Sequence, residues 1–146
     1  MRLLRVAAFA LVWAILGSSV GEAQQDGATR TFGQSVPVEG GEYRDIVVPE
    51  LQAMLEDDEG FPLINVHIPF GGNIPGTDES IPFNEIEANL DQLPADRDAT
   101  IVLYCRTGPM SENAAAALVR LGYTSVYNLI GGFRAWSLAG LPLEGP

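Results

Sequence analysis

Apolar residues in this chain alternate between short unbroken runs and stripes at helical spacing. Tyr43 to Ile46 reads as a short edge strand. Pro49 suits the first turn of a following helix, where its missing N–H would be unpaired anyway. Leu51, Met54 and Leu55 stand at i, i+3 and i+4 and give that helix a single buried stripe, and Asp57, Asp58 and Gly60 end it. Residues 61–66 (FPLINV) form a short apolar run of strand type. Residues 67–82 hold three Gly and three Pro and read as one long connection. Phe83, Ile86 and Leu90 mark a short amphipathic helix up to Leu93-Pro94. Residues 100–104 (TIVLY) are almost wholly apolar, as expected of a central parallel strand covered on both faces. An Ala-rich helix is predicted over 111–121, closed by Gly122 where a left-handed residue is wanted. A strand over 125–130 follows, then a last helix over 133–139, stopped by Gly140 and Pro142.

Strands separated by helices of about ten residues imply βα units, a mostly parallel sheet and helices on both faces. In such sheets the reactive groups gather beyond the carboxyl ends of the strands. That rule points to the end of the 100–104 strand, where Cys105 stands.

The first residues carry a different pattern. Arg2 and Arg5 precede an unbroken apolar run of eleven residues, Val6 to Leu16, and small residues follow at Gly17, Ser18, Ser19, Gly21 and Ala23. This order predicts a secretory signal peptide over 1–23, cut after Ala23. At ~1.5 Å per residue the run is too short to cross a hydrocarbon core of roughly 30 Å, so no stable membrane insertion is expected after cleavage. The competing reading is an uncleaved anchor. A periplasmic or secreted location follows from the signal. Residues 24–41 are polar and aperiodic and are expected to form a disordered leader, with the folded domain over 42–146.

Composition narrows the chemistry. The 146 residues carry a formal charge of −11, and all eight basic residues are Arg. This balance argues against a nucleic-acid partner, which needs a basic face. A single Cys and a single His exclude an internal disulfide and a zinc site of Cys/His type, and no cofactor is expected. Asp96 to Asp98 read as a solvated turn, and Phe133 and Trp136 as core at helical spacing.

The segment Cys105-Arg106-Thr107-Gly108-Pro109-Met110-Ser111-Glu112 links the buried strand to the Ala-rich helix. Such a turn can aim several backbone N–H groups at one point, and the helix terminus adds partial positive charge. Both favour a thiolate, the nucleophilic form of Cys. The expectation is a sulfur held anionic by converging amides and open to solvent. A lone Cys at a strand end can equally be a small buried hydrophobe. A Cys-based phosphatase would need Arg six positions after the Cys to clamp phosphate, and that position is Ser111.

The loop Cys-Arg-Thr-Gly-x-x-Ser resembles the active-site loop of the rhodanese (thiosulfate sulfurtransferase) domain. Three further stretches resemble the same family in the same order: Leu63-Ile-Asn-Val-His67, Gly72-Asn-Ile-Pro-Gly-Thr77 and Val126-Tyr-Asn-Leu-Ile-Gly-Gly-Phe-Arg-Ala-Trp136. Together they cover roughly residues 43–144, and the chain is most similar to the single-domain, exported phage-shock-protein-E type. The resemblance implies a rhodanese-like α/β fold with a mostly parallel five-stranded sheet and helices on both faces. It implies Cys105 as catalytic nucleophile, with Arg106, Thr107, Gly108, Met110 and Ser111 around the substrate. A small-molecule sulfur donor, thiosulfate or a persulfide, would load Cys105, and a cyanide or thiol acceptor would unload it, in a monomeric protein.

Several residues depart from the family pattern. Met110 stands where many members carry Arg or another polar residue. Asn65 replaces the usual Asp and His67 the usual Arg, so both charges of a bracing pair are absent. Pro109 has no N–H, leaving at most five amide donors over 106–111. Gly131-Gly132 reads as a tight turn near the loop, with Arg134 beside it. A sulfane-sulfur carrier without turnover and a redox-sensing thiol protein are the other readings compatible with these residues.

Overall fold

The computed structural model describes residues 30–57 and 60–145, so the expected signal peptide and residues 24–29 of the leader lie outside the described residues. The folded unit begins at Thr31. Its strands are β1 (Gln34–Val38), β2 (Gly41–Ile46), β3 (Leu63–Asn65), β4 (Glu79–Ser80), β5 (Ile101–Tyr104) and β6 (Val126–Leu129). Its α-helices are α1 (Val48–Glu56), α2 (Pro109–Arg120) and α3 (Gly132–Leu138), and a 3₁₀ helix spans Ile86–Gln92. The sheet has six strands in the order β1-β2-β6-β5-β3-β4, with β1 antiparallel to β2 and the other pairs parallel.

The sheet therefore has six strands rather than the expected five. Part of the difference lies in the segment expected to be a structureless leader. Residues 34–41 instead make β1 and the turn into β2, with Val38 opposite Gly41. Val36 and Val38 alternate with polar neighbours and pack half-buried against the core. Glu50 fixes the start of this hairpin: its carboxylate accepts the N–H of Gly33 at 3.0 Å and that of Val47, the α1 N-cap residue, at 3.0 Å. The second addition, β4, is a two-residue strand inside the Gly/Pro-rich connection, parallel to β3.

β5 is buried along its whole length. Ile101, Leu103 and Cys105 face one core layer with Ala114, Ala115 and Leu118 of α2 and Ile86 of the 3₁₀ helix. Val102 and Tyr104 face the other layer, with Leu51 and Met54 of α1 and Phe133 and Trp136 of α3. The expected α-helix after Phe83 is a 3₁₀ helix instead. Asn89 breaks it, with φ −119° and ψ 32°, and its side-chain amide donates to the Glu85 carbonyl at 2.8 Å. That side chain takes the carbonyl four residues back that an α-helical N–H would otherwise use. No helix among the described residues is long and apolar enough to cross a membrane.

Candidate active site

β5 delivers Cys105 to the carboxyl end of the sheet, and α2 starts four residues later at Pro109, two residues before its predicted start. The turn is short because Gly108 takes φ +131° and ψ −49°, a conformation that favours glycine. This brings the loop back over the sulfur. Gly108 N–H donates to Cys105 Sγ at 3.0 Å, and Ser111 Oγ lies 3.6 Å from the same atom. Burial pushes the Cys105 thiol up, but the Ser111 hydroxyl and the amides of Ser111, Gly108 and Thr107 outweigh it and hold the thiol below its ordinary value.

One expectation fails. Cys105 is 1% exposed, so the sulfur is not open to solvent in this conformation. The same closeness that brings the amides onto the sulfur packs Gly108 and Ser111 over it, both buried. The structure thus joins Cys105, Thr107, Gly108 and Ser111. Met110 is half-buried against the α2-side core. The Arg106 side chain is exposed, and its charge acts on His67.

His67 follows β3, and burial followed by the nearby Arg106 guanidinium lowers its pKa. Its ring packs edge-on against Phe133 at 5.4 Å between centroids, and its Nδ1 is buried without a partner. Asn65, at the usual Asp position, anchors the following loop through its amide. Nδ2 donates to the Gly72 carbonyl at 3.0 Å and to Asn73 Oδ1 at 2.8 Å, and Oδ1 accepts from His67 N–H at 3.0 Å. Tyr104 continues this network, its hydroxyl accepting Ile74 N–H at 3.0 Å and bonding Thr77 Oγ1 at 2.7 Å.

A second brace comes from α3, where the sequence suggested only a nearby turn. Phe133 N–H donates to the Cys105 carbonyl at 2.9 Å and Arg134 N–H to the Arg106 carbonyl at 3.1 Å. Gly132 makes this contact possible: a Cβ there would sit 2.0 Å from the Cys105 carbonyl oxygen. The paired glycines before a helix were the available sign, but only the folded chain shows which peptide they touch.

The fold and this loop place the chain among known proteins. The rhodanese-like domain family matches residues 50–139. A protein of Allochromatium vinosum named sulfurtransferase is 37% identical over 99 residues, covering 66% of this chain and 90% of that protein. The thiosulfate sulfurtransferase GlpE of Actinobacillus succinogenes is 45% identical over 49 residues, which is 34% of this chain and 44% of that relative, less than half its length. Among solved structures, a rhodanese-related protein from Thermoplasma volcanium superposes with a TM-score of 0.58 at 26% identity, covering 69% of this chain and 97% of that one. The chain belongs to the rhodanese-like domain family.

Proposed function

We propose that this protein is a sulfurtransferase that carries sulfane sulfur on Cys105. The observation that carries the reading is the thiol held by Gly108 N–H and Ser111 Oγ at the end of a buried parallel strand. The sulfurtransferase names of similar proteins support it. In the first half-reaction the Cys105 thiolate attacks the outer sulfur of thiosulfate. A new S–S bond forms, the donor's S–S bond breaks, and sulfite leaves with the electron pair. In the second, a cyanide or thiolate acceptor attacks the outer sulfur of the persulfide and Cys105 leaves as thiolate. Two covalent half-reactions predict ping-pong kinetics.

The buried sulfur demands that the 106–108 turn open before either attack. Arg106 is the loop's own cation, and Met110 adds none. A less charged persulfide donor therefore competes well with dianionic thiosulfate on this chain. The 1% exposure also favours a second reading, a carrier that stores sulfur without rapid turnover. The residues before the described part are proposed to export the chain to the periplasm or beyond, which cell fractionation checks.

Intact mass after incubation with thiosulfate or polysulfide tests the main reading. Wild type gains one sulfur atom and Cys105→Ser gains none. Multiple turnovers with cyanide identify an enzyme; a single release identifies the carrier. Oxygen uptake with peroxide and no sulfur uptake would overturn both.

A further inference from the structure

Outside the cradle, the most informative feature is the surface around its mouth. The chain carries 19 acidic residues, yet the connections leaving β2, β3, β5 and β6 at the Cys105 end contain none between 66 and 77, between 105 and 108, at Val47, or at 130–131. They present apolar side chains instead. Val47 is 45% exposed, Phe70 50% and Ile130 47%. These residues are tied to the site through backbone contacts. Ile130 N–H donates to the Ile46 carbonyl at 2.9 Å, which sets Ile130 beside Val47. Gly71, next to Phe70, lies against the Phe133 ring, and Phe133 holds the Cys105 carbonyl.

Two cations accompany the apolar ring. Arg106 and Arg134 are both exposed, and the bond from Arg134 N–H to the Arg106 carbonyl at 3.1 Å keeps their backbones adjacent. Of the carboxylates nearby, Glu50 is turned inward onto Gly33 and Val47, and Glu112 stands on the far side of Gly108 at the start of α2. An otherwise anionic molecule thus surrounds its nucleophile with an apolar, locally cationic rim. A small hydrophilic thiol gains little from half-exposed Phe and Ile side chains. A polypeptide with apolar residues beside its thiol and acidic residues further out would match both features.

We propose that the rim formed by Val47, Phe70, Ile130, Arg106 and Arg134 docks a partner protein whose acceptor Cys sits among apolar side chains and is flanked by acidic ones. This rests on the sulfurtransferase reading for its chemistry and names the acceptor class. The partner's thiolate attacks the outer sulfur of the Cys105 persulfide. The Cys105–sulfur bond breaks, Cys105 leaves as thiolate, the partner departs as a persulfide, and the proton of its thiol has gone to water.

The probe is a short synthetic peptide with one Cys between Leu and Phe and Glu on both flanks. Its controls are the same peptide with Lys for Glu, and glutathione. Sulfur transfer from the loaded protein is followed by mass at low salt. The acidic peptide is expected to react about tenfold faster than either control, and salt should erode the gain. Ile130→Ser with Phe70→Ser, and separately Arg134→Glu, should abolish the preference while leaving loading from thiosulfate and transfer to cyanide unchanged. Equal rates for all three acceptors, or a preference that survives both variants, would overturn the proposal. Circular dichroism checks the double variant's fold, and Arg134→Glu alone decides if it is misfolded. If wild type takes up no sulfur, calorimetric binding of the acidic peptide to Cys105→Ser decides. Binding lost in the variants upholds the surface while the transfer reading falls, and no binding overturns the surface too. A concentration-dependent dimer that the Ile130 and Phe70 changes dissolve would make a second copy the occupant and also overturn it.

Discussion

Ser111 has one hydroxyl proton and two acceptors, the Gly108 carbonyl at 2.8 Å and Cys105 Sγ at 3.6 Å. With a neutral thiol the shorter bond to Gly108 satisfies the hydroxyl. Ionisation of the sulfur makes it the stronger acceptor, since hydrogen bonds to charged groups are worth about 1.5–3 kcal/mol against roughly 1 for neutral ones. Ser111→Ala should therefore raise the midpoint of the pH–alkylation profile of Cys105, measured with iodoacetamide, toward that of a free thiol. A midpoint unchanged by the substitution would leave the backbone amides as the sole source of the shift. Linkage fixes the accompanying stability effect. The folded thiol is lowered, so the thiolate's contribution is full above the free value of about 8.5 and fades as pH falls through the folded value. Wild type should gain stability over Ser111→Ala as pH rises through that window, read by urea midpoints. Gly132→Ala is a harsher change at this scale, because its Cβ would lie 2.0 Å from the Cys105 carbonyl oxygen. Either α3 or the loop must move, at a cost of roughly 2–4 kcal/mol, as for other strained backbone sites. Persulfide formation should fall with it, whereas Gly140→Ala at the open C-terminal end of α3 should leave persulfide formation unchanged.

At the scale of elements, strand β5 and helix α2 were legible because their patterns are unambiguous: an apolar run too short for a helix, then an Ala-rich stretch closed by glycine. The Cys105 turn was legible for the same reason, since it lies between them. The extent of sulfur burial was not, because it depends on how far Gly108 folds the turn back, a conformation that many glycines could adopt. β1 was missed because two valines are too few to establish a period, and their partner Tyr43 lies across a turn. The Asn65–His67 departure from the family pattern was visible, but its consequence was not. Asn65 is 1% exposed and uses its amide nitrogen on two oxygen acceptors, the Gly72 carbonyl and Asn73 Oδ1. Asn65→Asp would set a carboxylate oxygen against both with no cation as partner. A buried unpaired charge of this kind costs about 3–5 kcal/mol. Because burial raises such a carboxyl, the penalty is greatest above the free Asp value of about 3.9 and eases as pH falls below the folded value. Urea midpoints of Asn65→Asp against wild type should converge in acid, and a gap independent of pH would show that the lost amide bonds, not the charge, dominate.

Across the whole molecule, the sheet has two ends with different roles. The β3, β5 and β6 side carries the loop, while β1 closes the opposite edge by pairing along all of β2 except its last residue, Ile46. Removing residues up to Gly40 would take away that edge, the half-buried Val36 and Val38, and the Gly33 N–H that Glu50 accepts. Partial burial of these side chains is worth about 1 kcal/mol each, with a further contribution of about 1 kcal/mol from each lost hydrogen bond. A chain starting at Gly41 should thus unfold at a lower urea concentration, by roughly 2–4 kcal/mol in all. It should also associate, because β2 would become an unprotected edge whose N–H and C=O groups invite another strand. The Cys105 cradle lies two strands away and draws its hydrogen bonds from α2 and α3, so persulfide formation in the monomeric fraction should survive. If loading and stability fall together in that fraction, the hairpin supports the site as well as the sheet.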